Sequence, residues 1–312
     1  MNKQELRHRV REIEYLCKNY FWARSYSCPH KMLISIVDNG RFYNGGLADR
    51  FKGEISSYAW CKSNGYDFRI KYDFPFRLED YLQPAKYNWL LKENEMSHCM
   101  RDVRIMYASG EMGRRMIGLK TRKQIHYWGN MNYLHVLNEA YGTDYSWGEL
   151  FLELFKPTAK LQNAIDDLKA KINCSYNAAV FRFQNLLGDF REYSYEPLPL
   201  SEQQELLMRC IKGLQDLLNK FPNTKFLVTS DSSKFLEVAS KLDRVFIIPG
   251  KIVHCGTVEG EDFDVYMKSF VDFYMISEAK SVYCVGTSEM YPSEFPMYAA
   301  KLNDVNFERI LL

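Results

Sequence analysis

The chain has no CxxC pair, no GxGxxG run and no apolar stretch long enough to cross a bilayer. Its eight cysteines (Cys17, Cys28, Cys61, Cys99, Cys174, Cys210, Cys255 and Cys284) are scattered. The nearest metal-like pairs, Cys28 with His30 and His98 with Cys99, find no second Cys/His cluster to close a tetrahedral site. They read as reduced thiols, mostly in the core, of a cytoplasmic protein. Charge of one sign is scarce too: 41 basic against 39 acidic residues leave a net +2, too little for the footprint of a DNA or RNA partner. The mixed-charge amino terminus lacks the apolar segment of a signal peptide. Internal repeats and low-complexity tracts are missing as well.

What is present reads as globular. With 312 residues and 46% apolar content the chain can bury core enough for two domains. Helical spacing over 3–22 leads to Met32-Leu33-Ile34-Ser35-Ile36-Val37-Asp38, a nearly continuous apolar run that predicts a buried parallel strand. A glycine-rich loop with Gly45 and Gly46 follows. Beyond it Leu47, Phe51, Ile55 and Ala59 fall one helical turn apart, and a second strand is expected over 66–72, so the chain opens in βαβ fashion. The middle yields only a strand over 123–128 and a helix over 133–140. Helical spacing over 147–173, interrupted by Pro157, ends in a charged amphipathic stretch. The domain boundary is expected just after it, giving domains 1–172 and 173–312.

The second half opens on Ala178-Ala179-Val180-Phe181-Arg182-Phe183, a strand-like apolar run with one arginine near its end. In a core that arginine would be costly. At the carboxyl end of a strand, where open α/β sheets bind ligands, a guanidinium can fork onto phosphate oxygens. Arg182 could instead pair with Asp189 or Glu192. Ser201-Glu202-Gln203-Gln204 has the capping-box pattern, opening a helix that ends near Pro222. Strands over 225–229, 244–248 and 281–285 alternate with helices reaching 242, over 264–279 and over 293–302, a nucleotide-binding type of sheet.

Four segments occur in a telling order: Gly45-Gly46-Leu47-Ala48-Asp49-Arg50, Phe181-Arg182-Phe183, Thr229-Ser230-Asp231, and Val271-Asp272-Phe273-Tyr274-Met275-Ile276-Ser277-Glu278-Ala279 before the strand at 281. Together they resemble the GDP-fucose-dependent fucosyltransferases of the α1,2, α1,6 and protein-O-fucosyl superfamily, over roughly residues 33–300. The resemblance implies an α/β chain of two Rossmann-like domains in a GT-B-like arrangement, with the acceptor side in 1–172 and the nucleotide sugar held mainly by 173–312. It implies inverting transfer of fucose from GDP-fucose to a saccharide hydroxyl. Another nucleotide sugar in a GT-B transferase, or a non-catalytic nucleotide-sugar-binding protein, are the alternatives.

By position Arg182 matches the arginine that contacts the donor pyrophosphate, Asp272 the acid that reads guanine, and Thr287 with Ser288 the hydroxyl residues of a phosphate-facing loop. The family often carries His two residues before that arginine and a second Arg just after it. Here those positions are Val180 and Phe183.

The chemistry needs positive charge at a departing diphosphate, which Arg182 and helix amino termini supply without a metal or other cofactor. It also needs a base for the acceptor hydroxyl, for which Asp49 and Asp189 are candidates. Gly45, Gly46, Arg50 and Asp231 complete the expected site. Each has a plainer reading: a tight turn for the glycines, a solvated helix start for Asp49 and Arg50, a helix cap for Asp231, a surface position for Asp272 and local turns for Thr287 and Ser288. Asp262-Phe263-Asp264 has the form of a DxD metal motif but stands before a helix, where it fits an N-cap better. His254 fits a satisfied polar histidine better than a ligand contact. The basic run at 114–123 could touch an anionic membrane surface peripherally, and otherwise forms a solvated face.

Overall fold

The structure is a computed structural model that describes residues 3–22, 31–39, 42, 45–108, 115–190, 196–250 and 263–312. The chain divides into two compact units, Met1–Lys156 and Pro157–Leu312. In chain order the first unit carries α1 (Lys3–Asn19), β1 (Met32–Val37), α2 (Leu47–Asn64), β2 (Asp67–Tyr72), β3 (Leu82–Pro84), β4 (Val103–Ala108), β5 (Gln124–Gly129), α3 (Leu134–Tyr141) and α4 (Trp147–Leu154). The short strand β6 (Phe155–Pro157) spans the division and pairs with β3. The second unit holds α5 (Ala159–Ile172), β7 (Tyr176–Phe181), α6 (Leu200–Lys220), β8 (Lys225–Ser230), α7 (Ser233–Ala239), β9 (Val245–Phe246), α8 (Phe263–Ser277), β10 (Ser281–Gly286), α9 (Phe295–Leu302) and β11 (Asn306–Leu311). The boundary expected at 172 and the division at 156 differ by α5, which packs against α8.

In the first unit the sheet order is β2-β1-β5-β4, with parallel pairing throughout. Every residue of β1 is buried, as its nearly unbroken apolar sequence requires of a strand covered on both faces. One cover is α2, whose Phe51, Ile55 and Ala59 are buried. The helix begins after Gly46 and ends at Gly65, which takes the left-handed conformation at φ 67°. It lies so close to the sheet that a Cβ on Gly53 would stand 1.8 Å from the Gly129 carbonyl oxygen. The other face packs Met32, Ile34, Ile36, Val103, Ile105, Tyr107 and Trp128 with Phe42 and with Tyr20, just beyond α1.

A buried polar chain threads this sheet. His126 in β5 is fully buried; its Nδ1 accepts from the Tyr20 hydroxyl and its Nε2 donates to Gln124 Oε1 at 2.8 Å. Burial lowers its pKa from the ordinary 6.5 to about 3, so the ring is neutral. The folded value lies below the unfolded one. Its contribution to stability is therefore complete above about pH 6.5 and is lost as pH falls toward 3. Between pH 7.5 and pH 5 the protein is expected to lose about 2 kcal/mol through this group. Urea melts at the two pH values, compared with those of His126→Gln, check this; equal pH dependence in both proteins would refute it.

The second sheet has the order β11-β10-β7-β8-β9, again parallel. The chain steps outward from β7 through β8 to β9, then returns to the other side of β7 for β10 and β11, so strand order reverses between β7 and β10. The fold class is α/β as implied, with two Rossmann-like units built on parallel sheets. Strand β7 ends at Phe181, which makes Arg182 the first residue beyond it and not a strand residue. Helix α6 starts at Leu200 with Pro199 as its N-cap, so Ser201 lies inside the first turn and the capping box expected there is not formed. Proline before the helix sets that entry at φ −53° and ψ 147°. Cys17, Cys61, Cys99, Cys174, Cys210 and Cys284 are free thiols, four of them buried. Among the described residues no helix is long and apolar enough to cross a membrane.

Candidate functional site

Parallel register aligns the strand ends of the second unit. Phe181 stands opposite Ser230 and Val180 opposite Cys284, so Arg182, Asp231 and Thr287 all follow directly at the carboxyl edge of three adjacent strands. Arg182 and Thr287 flank the reversal between β7 and β10, the place where open α/β sheets hold ligands. Thr287 is buried and Ser288 is exposed. The Thr287 hydroxyl oxygen is buried and has no hydrogen-bond partner among the described residues.

Arg182 is held in place by Asp231, not by Asp189. Its Nη1 lies 2.9 Å from Asp231 Oδ2, and its guanidinium stacks 4.8 Å over the Phe190 ring. Its side chain stays 20% exposed while that of Asp231 is 1% exposed. Asp231 also accepts from the backbone N–H groups of Phe183 at 2.8 Å and Gln184 at 2.7 Å. One carboxylate thus fixes both the arginine and the turn behind it. Burial pushes the Asp231 carboxyl up, against the opposing pull of Arg182 and the two amides. Asp231 does not cap the following helix; Ser232 does, accepting from Phe235 N–H at 3.2 Å.

Asp189 serves α7 from the loop after β7. Its Oδ2 accepts from the Ser232 and Ser233 hydroxyls and from Lys234 N–H, at 2.9, 3.1 and 2.9 Å. Asp272 is not on the surface: it lies in α8 with both carboxylate oxygens 2.9 Å from Lys268 Nζ, an ion pair whose side chains are 3% and 5% exposed. Burial raises its carboxyl and Lys268 opposes that shift. Val180 and Phe183, where the resemblance calls for His and a second Arg, are core residues, Phe183 packing on Phe235.

The remaining candidates lie in the first unit. Gly45 takes φ +71°, and a Cβ there would meet Asp49 Oδ2 at 2.5 Å. Asp49 accepts from Gly46 N–H at 3.1 Å and pairs with Lys52 at 2.7 Å. Arg50 is 2% exposed, donating to the Gly45 carbonyl at 3.1 Å, the Tyr72 hydroxyl at 2.7 Å and the Phe74 carbonyl at 2.6 Å. It locks the glycine loop to the end of β2. Arg115 of the basic run is likewise engaged, with Glu12, through two contacts of 2.9 Å. Glu192, Arg114, His254, Asp262, Cys28, His30 and Cys255 lie outside the described residues. Among the described residues no group of three or more His, Cys, Asp or Glu is placed to hold a metal ion.

Two further positions were not foreseen. Gln184 sits at φ +53° with its amide Oε1 buried and without a hydrogen-bond partner, strain that stands directly beside Arg182. Nothing in the one-dimensional pattern marks it. Glu54, one turn beyond Arg50 in α2, is fully buried with neither carboxyl oxygen hydrogen bonded. Burial raises its pKa to about 8, with Arg50 opposing and Glu79 adding to the rise. Here the folded state binds the proton more tightly than the unfolded one. Stability is full below about pH 4.5 and falls as pH climbs through 8. Glu54→Gln should flatten that slope, its gain over the natural chain growing as pH climbs from about 4.5 to 8. Melting temperatures that track each other from pH 5 to 9 would refute it.

No family model matches the chain, and no curated relative matches it. Among solved structures its fold recurs. It is similar to the fucosyltransferase NodZ from Bradyrhizobium at 12% identity and a TM-score of 0.56, over 87% of this chain and 93% of that one. A NodZ α-1,6-fucosyltransferase soaked with GDP-fucose matches at 13% identity and a TM-score of 0.52, over 88% of this chain and 92% of that one. A variant of Arabidopsis thaliana FUT1 in complex with GDP matches at 14% identity and a TM-score of 0.56, over 96% and 73%. At such identities the likeness is one of fold. A pair of Rossmann-like units with a charged strand-end turn in the second defines the class, a GT-B-type α/β protein. Within that class the chain has the fold of the GDP-fucose-dependent fucosyltransferases, the superfamily its motifs resemble.

Proposed function

We propose that this chain is a metal-independent glycosyltransferase that moves fucose from GDP-fucose to a saccharide hydroxyl with inversion at the anomeric carbon. The observation that carries the reading is the Arg182 guanidinium, anchored by Asp231 yet partly exposed, at the carboxyl end of the central strand beside the reversal in strand order. A diphosphate bound there would find charge already oriented. The bond from the anomeric carbon to the diphosphate oxygen breaks, and the acceptor oxygen bonds to that carbon from the opposite face. The acceptor proton passes to a base, for which Asp49 and Asp189 are the candidates, and the negative charge left on GDP is met by Arg182. Thr287 and Ser288 would donate to phosphate, and Asp272 would read guanine while sharing its carboxylate with Lys268. Gly45, Gly46 and Arg50 would shape the acceptor side.

Calorimetric titration with GDP, GDP-fucose and UDP-sugars tests the donor, and NMR of the product anomer tests the stereochemistry. GDP-fucose binding with turnover onto a glycan, giving an inverted linkage, is the expected result. Preference for a UDP-sugar would replace the donor. Tight GDP-fucose binding without hydrolysis or transfer to any glycan would mark a binding protein, a reading that Val180 and Phe183 in place of His and Arg would suit.

A further inference from the structure

Gln184 gathers several costs at one position. Its φ of +53° lies in the left-handed region that glycine fills most readily. The residue is only 3% exposed, and its amide Oε1 is buried with no hydrogen-bond partner among the described residues. Such an acceptor forgoes the hydrogen bonds that water would give it. Glu54, orphaned in the first unit, relieves its burial by holding a proton more tightly. An amide has no such escape.

What keeps Gln184 in this conformation is Asp231. Oδ2 of that carboxylate accepts the Gln184 N–H at 2.7 Å and meets Arg182 Nη1 at 2.9 Å, so backbone and guanidinium converge on one oxygen. The Phe183 N–H, on Oδ1 at 2.8 Å, pins the turn a second time. Gln184 is thereby held beside the cation assigned above to the diphosphate. Costs of this kind persist at ligand sites, where a bound group returns what the free protein gives up.

The orphaned atom selects the ligand group. An amide oxygen only accepts, and the oxygens of an ionised diphosphate only accept, so the two cannot satisfy one another. A hydroxyl can. In a nucleotide sugar the groups bonded directly to the diphosphate are the ribose and the transferred sugar, both rich in hydroxyls. We infer that Gln184 binds the sugar nucleotide, its amide oxygen accepting a hydroxyl of one of the two sugars that flank the diphosphate. This rests on the site proposed at Arg182 and adds what that arginine lacks: a cation holds the diphosphate of any nucleotide sugar, whereas a buried acceptor discriminates against a sugar without the matching hydroxyl.

Gln184→Gly separates binding from folding. Glycine takes the left-handed conformation freely and buries no amide, so this variant is expected to melt no lower than the natural chain while binding the ligand about tenfold more weakly, the loss of one hydrogen bond made away from water. Gln184→Met, which keeps the bulk without the amide, should bind as weakly. Calorimetry of the full chain with GDP, GDP-fucose and the 2′- and 3′-deoxy forms of GDP gives the affinities. If the transferred sugar is the partner, both variants lose affinity for GDP-fucose and keep that for GDP. If the ribose is, they lose both, while one deoxy form binds variants and natural chain alike. Unchanged affinity for GDP and GDP-fucose in the variants would overturn the inference. So would an equal loss for every ligand, deoxy forms included, which is what a merely structural role predicts. A natural chain that binds none of these nucleotides would fail the proposed function itself, and this inference with it.

Discussion

Arg182→Ala is expected to weaken GDP binding by about a hundredfold, on the order of 2–3 kcal/mol, the loss of a charge-assisted fork onto phosphate. The substitution does more than remove a ligand contact. Asp231, with a side chain only 1% exposed, would lose its counter-charge and keep only neutral donors, the Phe183 and Gln184 amides and the Ser230 hydroxyl, so the folded protein should melt lower as well. The two effects separate in Arg182→Gln, which can still donate to Asp231 but brings no charge to the phosphates. That variant should recover most of the thermal loss and little of the affinity. Calorimetry with GDP beside a thermal melt reads both quantities. Unchanged GDP affinity in folded Arg182→Gln would remove Arg182 from the site and with it the observation on which the proposed function stands.

The second large effect is expected at Lys268. Its ammonium meets both oxygens of Asp272 at 2.9 Å inside α8, with almost no solvent to share the load. Lys268→Met would leave a buried carboxylate without its counter-charge, at a cost of about 3–5 kcal/mol. Because the orphaned carboxyl would be pushed further up, the variant should regain stability as pH falls and Asp272 takes a proton. Adding Asp272→Leu should return most of the loss, since an apolar pair of similar volume avoids desolvating two charges. Chemical denaturation of the single and double variants gives the comparison. A double variant no more stable than Lys268→Met would show that the pair does something beyond compensating its own burial.

The two units differ in how much of them could be read in advance. The second was legible because its inner strands are short apolar runs bounded by helices with clear amphipathic spacing, from the run at 178–183 to the strand at 281–285. Its edge strand β11 was missed: Asn306-Phe307-Glu308-Arg309-Ile310-Leu311 is mostly exposed and carries charge, and without a buried face it has no strong pattern. In the first unit β4 was missed although five of its six residues are buried. Val103-Arg104-Ile105-Met106-Tyr107-Ala108 is too short and too mixed to separate strand from helix by period alone.

Among the site residues, type and spacing located Arg182, Asp231 and Thr287 at strand ends but left their partners open. Arg182 had two acids nearby in sequence, Asp189 and Glu192; among the described residues it meets Asp231, 49 residues away across a parallel pairing. The spacing of Lys268 and Asp272 fits one helical turn, yet only packing shows that the turn faces inward. For Gln184 and Glu54 there was no signal at all, because a left-handed backbone and an orphaned buried carboxyl are properties of surroundings, not of residue type.

By itself the amino-acid order determined the alternation of strands and helices, the placement of an arginine just past a buried strand and the family likeness, because periodicity and local chemistry are written along the chain. Only the folded chain decided that Asp231 anchors that arginine, that Asp189 serves α7, that Asp272 is held by Lys268 and that Arg50 ties down the glycine loop. The first two of those pairings join segments far apart in sequence. Parallel register brings them together, and desolvation then makes each buried charge accept whichever counter-charge or amide the fold has placed within reach.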